Sequence, residues 1–350
     1  MSFVIEKRLG KIKQVLSKKK IDALLFYYDG ESRNITQANL FYFTGIWFLE
    51  PAILIISGNN SEKNIDDVLY TSYPIESEVP YNVKRITKAE KLFAKDKEIL
   101  LGIDQGFGYS SYKKLTKKYK LSGFVDITKD ILKMRSIKSK EEIANIKTAC
   151  KLQREILSDI ENKNLFGRSE KQLQSKIDIA ILEQGCTNAF ETLAAVDKNT
   201  SYIHHLPTNS IAKKSILLDF GLNYNHYNSD MTRMFFSSGV DGVAKEAYSA
   251  LEELQSQMDD FIKPGISFGK ITDFAKSFLE EDYKDSNFSN FHLLGHGIGL
   301  HVHEAPGYKK EERVEENMVF TIEPGIYVEG KYGVRLEDTV VMRKNRIERL

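Results

Sequence analysis

Apolar positions in the first third of the chain fall into short runs separated by polar, helix-spaced stretches. Leu9, Ile12 and Leu16 recur at helical intervals across Glu6 to Lys18, and the run Ala23 to Tyr27 that follows has the length of a buried strand. Ala52 to Ser57, Val68 to Ser72, Ile99 to Asp104 and Gly123 to Asp126 are further strand-length runs bounded by turn residues. Helices alternating with strands in this way predict an α/β domain. It contains no histidine and no cysteine, so it offers little catalytic chemistry of its own.

The pattern changes near Met134 to Ser139, which divides the chain into an N-terminal α/β domain, 1–134, and a second domain, 135–350. Ser139 with Glu142 three residues later forms a capping box. Ile143, Ile146, Cys150, Leu152 and Ile156 then fall broadly on one side of a helix. Ser169 with Gln172 repeats the device, and Leu173, Ile177, Ala180 and Ile181 keep helical spacing until Gly185 supplies a stop. Gly265-Ile266-Ser267 introduces a later helix much as Gly167-Arg168-Ser169 does. This echo predicts two α-plus-β halves facing each other.

Length supports the division, because 350 residues is long for a single core. With 50 basic residues against 49 acidic ones, nothing suggests an electrostatic footprint for nucleic acid. The run Lys18-Lys19-Lys20 reads as a solvated helix end. Cys150 and Cys186 cannot form a disulfide framework and read as small core residues of a reducing compartment. The N-terminus has no apolar stretch of signal-peptide length, and the longest aliphatic run, Ala52 to Ile56, is far short of the roughly 20 residues a membrane span needs. A cytoplasmic location is the expectation.

The chemistry lies in the last part of the chain. All seven histidines fall between His204 and His303, four of them in the stretch His292 to His303. Asp219 and Asp230 precede that stretch, and Glu323 and Glu337 follow it. A turn around Asn223 to Asn225 would make a hairpin that sets Asp219 and Asp230 side by side. Strand alternation places Asp230 with Thr232, and Arg335 with Glu337, on common faces. Four carboxylates converging in a partly buried site would repel one another and protonate unless cations were present. Two divalent ions would balance them, and the oxygen and imidazole donors suit manganese, cobalt, iron or zinc. Such ions supply Lewis acidity to polarise a scissile carbonyl and to activate water. Taken singly, an Asp at a strand end is usually a turn or cap residue, and His205, His226 and His301 read as satisfied polar groups. Five candidate ligands in order, each in a distinctive local context, are hard to obtain as solvated surface.

At these residues the chain resembles the pita-bread metallopeptidases, the family of methionine aminopeptidase, aminopeptidase P and prolidase. The motifs are Leu218-Asp219-Phe220-Gly221, Ser229-Asp230-Met231-Thr232-Arg233, Gly295-His296-Gly297-Ile298-Gly299-Leu300, His303-Glu304, Glu323-Pro324-Gly325-Ile326-Tyr327 and Val334-Arg335-Leu336-Glu337-Asp338. As an ordered set they are highly specific and span roughly residues 139 to 342. The resemblance implies an α+β pita-bread catalytic domain with pseudo-twofold halves behind the α/β domain. It implies metal ligands Asp219, Asp230, His296, Glu323 and Glu337, with Asp230 and Glu337 bridging and Glu323 handling the proton of the attacking water. His204 and His303 would contact the substrate carbonyl, with His204 favoured over the adjacent His205. His292 resembles the extra histidine of the proline-specific branch, and Arg335 the family arginine available to a substrate carboxylate or to a supporting salt bridge. Phe41-Tyr42-Phe43 and Trp47-Phe48 either close over a partner subunit's site, as in proline-specific relatives, or pack in the core.

The implied activity is that of an Xaa-Pro dipeptidase holding two divalent ions, manganese foremost, acting on small peptides with proline second, as a homodimer. Aminopeptidase P activity on longer peptides is the alternative within the family. A different metal-assisted reaction or a scaffold role on the same fold is the alternative outside it.

Overall fold

The computed structural model describes residues 2–30, 35–58, 63–86, 91–162, 164–238, 242–280, 283 and 294–350. His292 lies outside them. The chain divides into two compact units, Met1–Arg135 and Ser136–Leu350.

The first unit begins with α1 (Ser2–Lys18), which buries Ile5, Ile12 and Leu16, so its apolar face runs one turn further back than Leu9 suggests. β1 (Ala23–Tyr28) follows, then α2 (Ile35–Thr44), β2 (Ala52–Ser57), β3 (Val68–Thr71), β4 (Asn82–Arg85), β5 (Ile99–Ile103), α3 (Tyr109–Lys118), β6 (Leu121–Asp126) and α4 (Thr128–Ser136). The strands form one mixed sheet in the order β4-β3-β2-β1-β5-β6. α2 is buried on nearly every side and therefore shows no amphipathic period to read. It carries part of the aromatic segment: Tyr42 and Phe43 are buried, as is Phe48 beyond it, while Phe41 packs edge-on to Trp47 at 5.8 Å. Tyr42, Phe43 and Phe48 are thus core residues of this unit.

The second unit opens with α5 (Lys140–Glu161) and α6 (Glu170–Glu183), both started by the expected capping boxes. Ser139 Oγ accepts from Glu142 N while Glu142 Oε2 accepts from Ser139 N, and Ser169 and Gln172 repeat the exchange. β7 (Thr187–Asn188), β8 (Leu193–Val196), a 3₁₀ turn (Asp197–Ser201) and β9 (Ser215–Phe220) lead to the hairpin β10 (Leu222–Tyr224) and β11 (Tyr227–Asn228). Its turn is Asn225-His226, both residues at positive φ, rather than Asn223 to Asn225. Two residues at positive φ match the right-handed strand twist, and Asn tolerates that region.

After β12 (Met231–Phe236) come α7 (Gly242–Phe261) and α8 (Phe268–Glu280), then β13 (Val319–Ile322), β14 (Gly325–Val328), β15 (Tyr332–Arg335), β16 (Glu337–Met342) and β17 (Ile347–Arg349). The main sheet runs β13-β16-β12-β9-β8, with β17 beside β16. Two helix pairs followed by strands make the two α-plus-β halves. One apolar core joins α5 and α6 to Ala194, Val196, Ile216, Leu218 and Phe220, and another joins α7 and α8 to Ala195, Leu217, Phe320 and Ile322. Alternation along β9 therefore sends Leu218 and Phe220 into one core and leaves Asp219 on the opposite face.

Candidate metal centre

A single row of register partners crosses the main sheet: Leu193 opposite Asp219, Asp219 opposite Thr232, and Thr232 opposite Glu337. The sheet thus brings together side chains more than a hundred residues apart. Asp230 sits just ahead of β12. Arg335 and Glu337 do not share one strand as expected. β15 ends at Arg335, β16 starts at Glu337, and the two strands belong to different sheets. Both residues nevertheless line one cavity of about 310 Å³ with His204, Asp219, Asp230, His296, His303 and Glu323.

His296 reaches this cavity from a glycine-flanked segment held against β13. Thr321 N donates to His296 O, and His296 N donates to Thr321 Oγ1. A β-carbon at Gly295 would lie 2.1 Å from Thr321 O, and one at Gly297 would lie 2.3 Å from the Ala305 carbonyl carbon, so the close approach requires glycine at both positions. His296 Nδ1 lies 3.3 Å from Gly297 O. A proton on Nδ1 for that carbonyl leaves the Nε2 lone pair directed at the carboxylates. Nε2 is 3.5 Å from Asp230 Oδ2 and 3.3 Å from Glu323 Oε1.

The carboxylates are buried and strained by charge. Burial raises Glu337 to about 7, with Asp219 adding to the effect. Burial and then the charge of Glu337 push Asp230 and Glu323 well above their ordinary values. Burial also raises Asp219, against the opposing pull of Arg335. Two buried oxygens, Asp219 Oδ1 and Asp230 Oδ1, have no hydrogen-bond partner. Ligand atoms of Asp230, His296 and Glu337 lie within 4.8 Å of one another. Repelling carboxylates, orphaned oxygens and an imidazole with a free lone pair form a donor set that divalent cations would satisfy.

The neighbours hold these groups in place. Thr232 Oγ1 donates to Glu337 Oε2 at 2.8 Å and accepts from Arg335 Nε at 3.0 Å. Arg335 also pairs with Asp219 through Nη2 and donates from Nη1 to Tyr327 Oη at 2.9 Å. Of the two roles open to Arg335, the supporting salt bridge is the one its buried guanidinium makes in the structure. Each half also lends a buried helix glutamine. Gln153 of α5 donates to Phe220 O, beside Asp219, while Gln255 of α7 donates to Ile322 O and Leu336 O, just ahead of Glu323 and Glu337.

His303 stands with its ring 4.2 Å from that of His296. Burial, then His296, His204 and His301, lower it to about 4, so its imidazole is neutral at pH 7. His204 lines the cavity, whereas His205 Nε2 lies 2.8 Å from Glu170 Oε2. Phe190, Leu193 and Val302 form an apolar wall that the sequence did not single out, since isolated apolar residues there look like ordinary packing.

Comparison with known proteins agrees along the whole chain. Residues 144–344 match the model of metallopeptidase family M24, and residues 8–137 match the creatinase/prolidase N-terminal domain. The chain is 30% identical to the Xaa-Pro dipeptidase of Pyrococcus horikoshii over 99% of this chain and 97% of that protein. The crystal structure of the prolidase from that organism superposes with a TM-score of 0.85 at 29% identity, covering 98% and 97% of the two chains. The X-Pro aminopeptidase of Thermotoga maritima gives 0.81 at 26% identity, covering 97% and 96%.

Proposed function

Since the chain belongs to metallopeptidase family M24, we propose that it is an Xaa-Pro dipeptidase, hydrolysing the bond between an N-terminal residue and a following proline. The observation that carries this reading is the full-length likeness to the Xaa-Pro dipeptidase of Pyrococcus horikoshii. The cavity of about 310 Å³ lined by the buried acids supports binding of a small peptide.

Asp219, Asp230, His296, Glu323 and Glu337 would hold two divalent ions. The oxygen-rich donor set favours manganese. Bound there, the ions supply Lewis acidity and the positive charge that keeps the four carboxylates ionised. Glu323 takes the proton of the attacking water and returns it to the leaving proline nitrogen, as general base and then general acid. His204 and His303 donate hydrogen bonds to the carbonyl oxygen as negative charge develops on it. Phe190, Leu193 and Val302 exclude water and receive apolar parts of the substrate. Arg335 acts through Asp219, which it orients. His292, which resembles the extra histidine of the proline-specific branch, is proposed as a substrate-binding residue, so His292→Ala should slow turnover of proline substrates and spare metal content.

The two free buried cysteines suit a reducing cytoplasm, where the protein would act as a homodimer. Likeness to the Thermotoga maritima X-Pro aminopeptidase supports a second reading, action on longer peptides. Hydrolysis of Met-Pro beside Met-Pro-Ala, on metal-stripped protein resupplied with manganese, cobalt or zinc, separates the two. Cleavage of the dipeptide alone is expected. Preference for the tripeptide would move the assignment to an aminopeptidase, and no cleavage with any metal would overturn the peptidase reading.

A further inference from the structure

The segment 196–208 carries His204 into the cavity, and one buried carboxylate holds it along its length. Glu170, the first residue of α6, has a side chain with no solvent exposure. Its Oε1 accepts from Val196 N and from Asn199 Nδ2, both at 2.9 Å. Its Oε2 accepts from Thr208 N at 2.7 Å and Thr208 Oγ1 at 2.5 Å, and lies 2.8 Å from His205 Nε2. Hydrogen bonds from Thr208, Asn199 and His205 outweigh the upward push of burial and hold Glu170 below its ordinary value. An ionised carboxylate only accepts, so His205 Nε2 carries the proton in this contact.

The local backbone makes that contact consequential. His205 N donates to Tyr202 O at 3.2 Å, closing a turn with His204 at its third position. Glu170 therefore grips the closing residue of the very turn that presents His204, while its other oxygen grips the start of the segment. The α6 backbone adds to the clamp: Glu170 N donates to Ser210 O, and Lys171 N donates to Thr208 O, satisfying helix-end donors with the same segment.

We infer that Glu170, acting through His205, is the positioning residue for His204, fixing the direction from which His204 meets the substrate carbonyl. This inference rests on the substrate role proposed for His204. Glu170 touches no reacting atom. Its contribution is to hold the imidazole where a hydrogen bond strengthens only as the oxyanion forms, so its loss falls on kcat rather than on KM.

The test is a double-mutant cycle on the manganese-loaded protein with Met-Pro, reading kcat and KM, metal content and thermal stability. Glu170→Gln should lower kcat by about 10- to 100-fold with KM little changed and two ions retained, the scale of loss expected from misplacing a positioned group. In the His204→Ala background, Glu170→Gln should cause no further loss of kcat. Losses that multiply would overturn the inference, because Glu170 would then act independently of His204. Wild-type kcat in His204→Ala alone would instead overturn the role of His204, a separate failure. Should Glu170→Gln not fold, His205→Phe beside His205→Gln answers the same question. Glutamine places a donor near the position of Nε2, so it should recover most of the kcat lost in the phenylalanine variant. Equal loss in both variants would contradict positioning through His205.

Discussion

Lys138 Nζ and Glu304 Oε1 meet at 3.1 Å with side chains only 1% and 2% exposed, at the back of the segment that carries His296 and His303. Glu304 follows His303 directly, and its Oε2 accepts from His301 N. Glu304 N also donates to Gly297 O, tying the end of the segment to the residue after His296. Removing one partner of such a pair leaves a buried charge without its counter-ion. Lys138→Met should therefore destabilise the second unit by about 3 to 5 kcal/mol, read from urea unfolding. Lys138→Met with Glu304→Gln, which discharges both sides, should recover much of that loss. A single variant as stable as the wild type would show that the pair contributes nothing.

Loss of the imidazole at 296 tests the ligand set. His296→Ala should bind one metal ion fewer, lose nearly all activity and keep the circular dichroism and unfolding transition of the first unit. Elemental analysis showing two ions still bound would remove His296 from the set.

Arg335 tests how far support for a ligand matters. It pairs with Asp219 and bonds Thr232, which in turn donates to Glu337. Arg335→Met should weaken manganese binding by about 10- to 100-fold, the usual effect of losing a group that orients a metal ligand. Calorimetric titration of the metal-stripped variant reads this directly. Unchanged affinity would confine Arg335 to packing.

Glu170 gives the fold a defined response to acid. Its pKa in the fold lies below the ordinary 4.5, so its ionised form stabilises the folded state at every pH above that value. That stabilisation is lost as pH falls from 4.5 through the lower folded value, where the carboxyl protonates in the folded state as well. The stability gap between wild type and Glu170→Gln should be full at pH 7 and shrink below pH 4.5. Urea midpoints measured across that range check it. A gap that stays constant with pH would mean the charge of Glu170 is not what stabilises the segment.

Much of this architecture is legible along the chain because its signals are local. Ser139 with Glu142, Ser169 with Gln172, and the terminal Gly185 announce α5 and α6 within a few residues each. Asp219, Asp230, His296, Glu323 and Glu337 stand out because each sits in a short distinctive context, and the fold brings all five to one cavity. Other features depend on contacts that spacing does not encode. β4 is exposed at every residue, so it has no alternation to read. The break at Leu336, which assigns Arg335 and Glu337 to different sheets, preserves the two-residue spacing of a single strand. Lys138 with Glu304, Gln255 with the carbonyls of Ile322 and Leu336, and Glu170 with His205 are pairings across distant sequence, each made by a residue of ordinary local context.

The most direct test of the proposed activity is kcat/KM for Met-Pro against Met-Ala, measured on metal-stripped protein before and after manganese is restored. The expected result is no hydrolysis without metal, rapid cleavage of Met-Pro once manganese is added, and little or no cleavage of Met-Ala. Equal turnover of both dipeptides would contradict specificity for proline, and hydrolysis that survives complete removal of metal would contradict the metal centre itself.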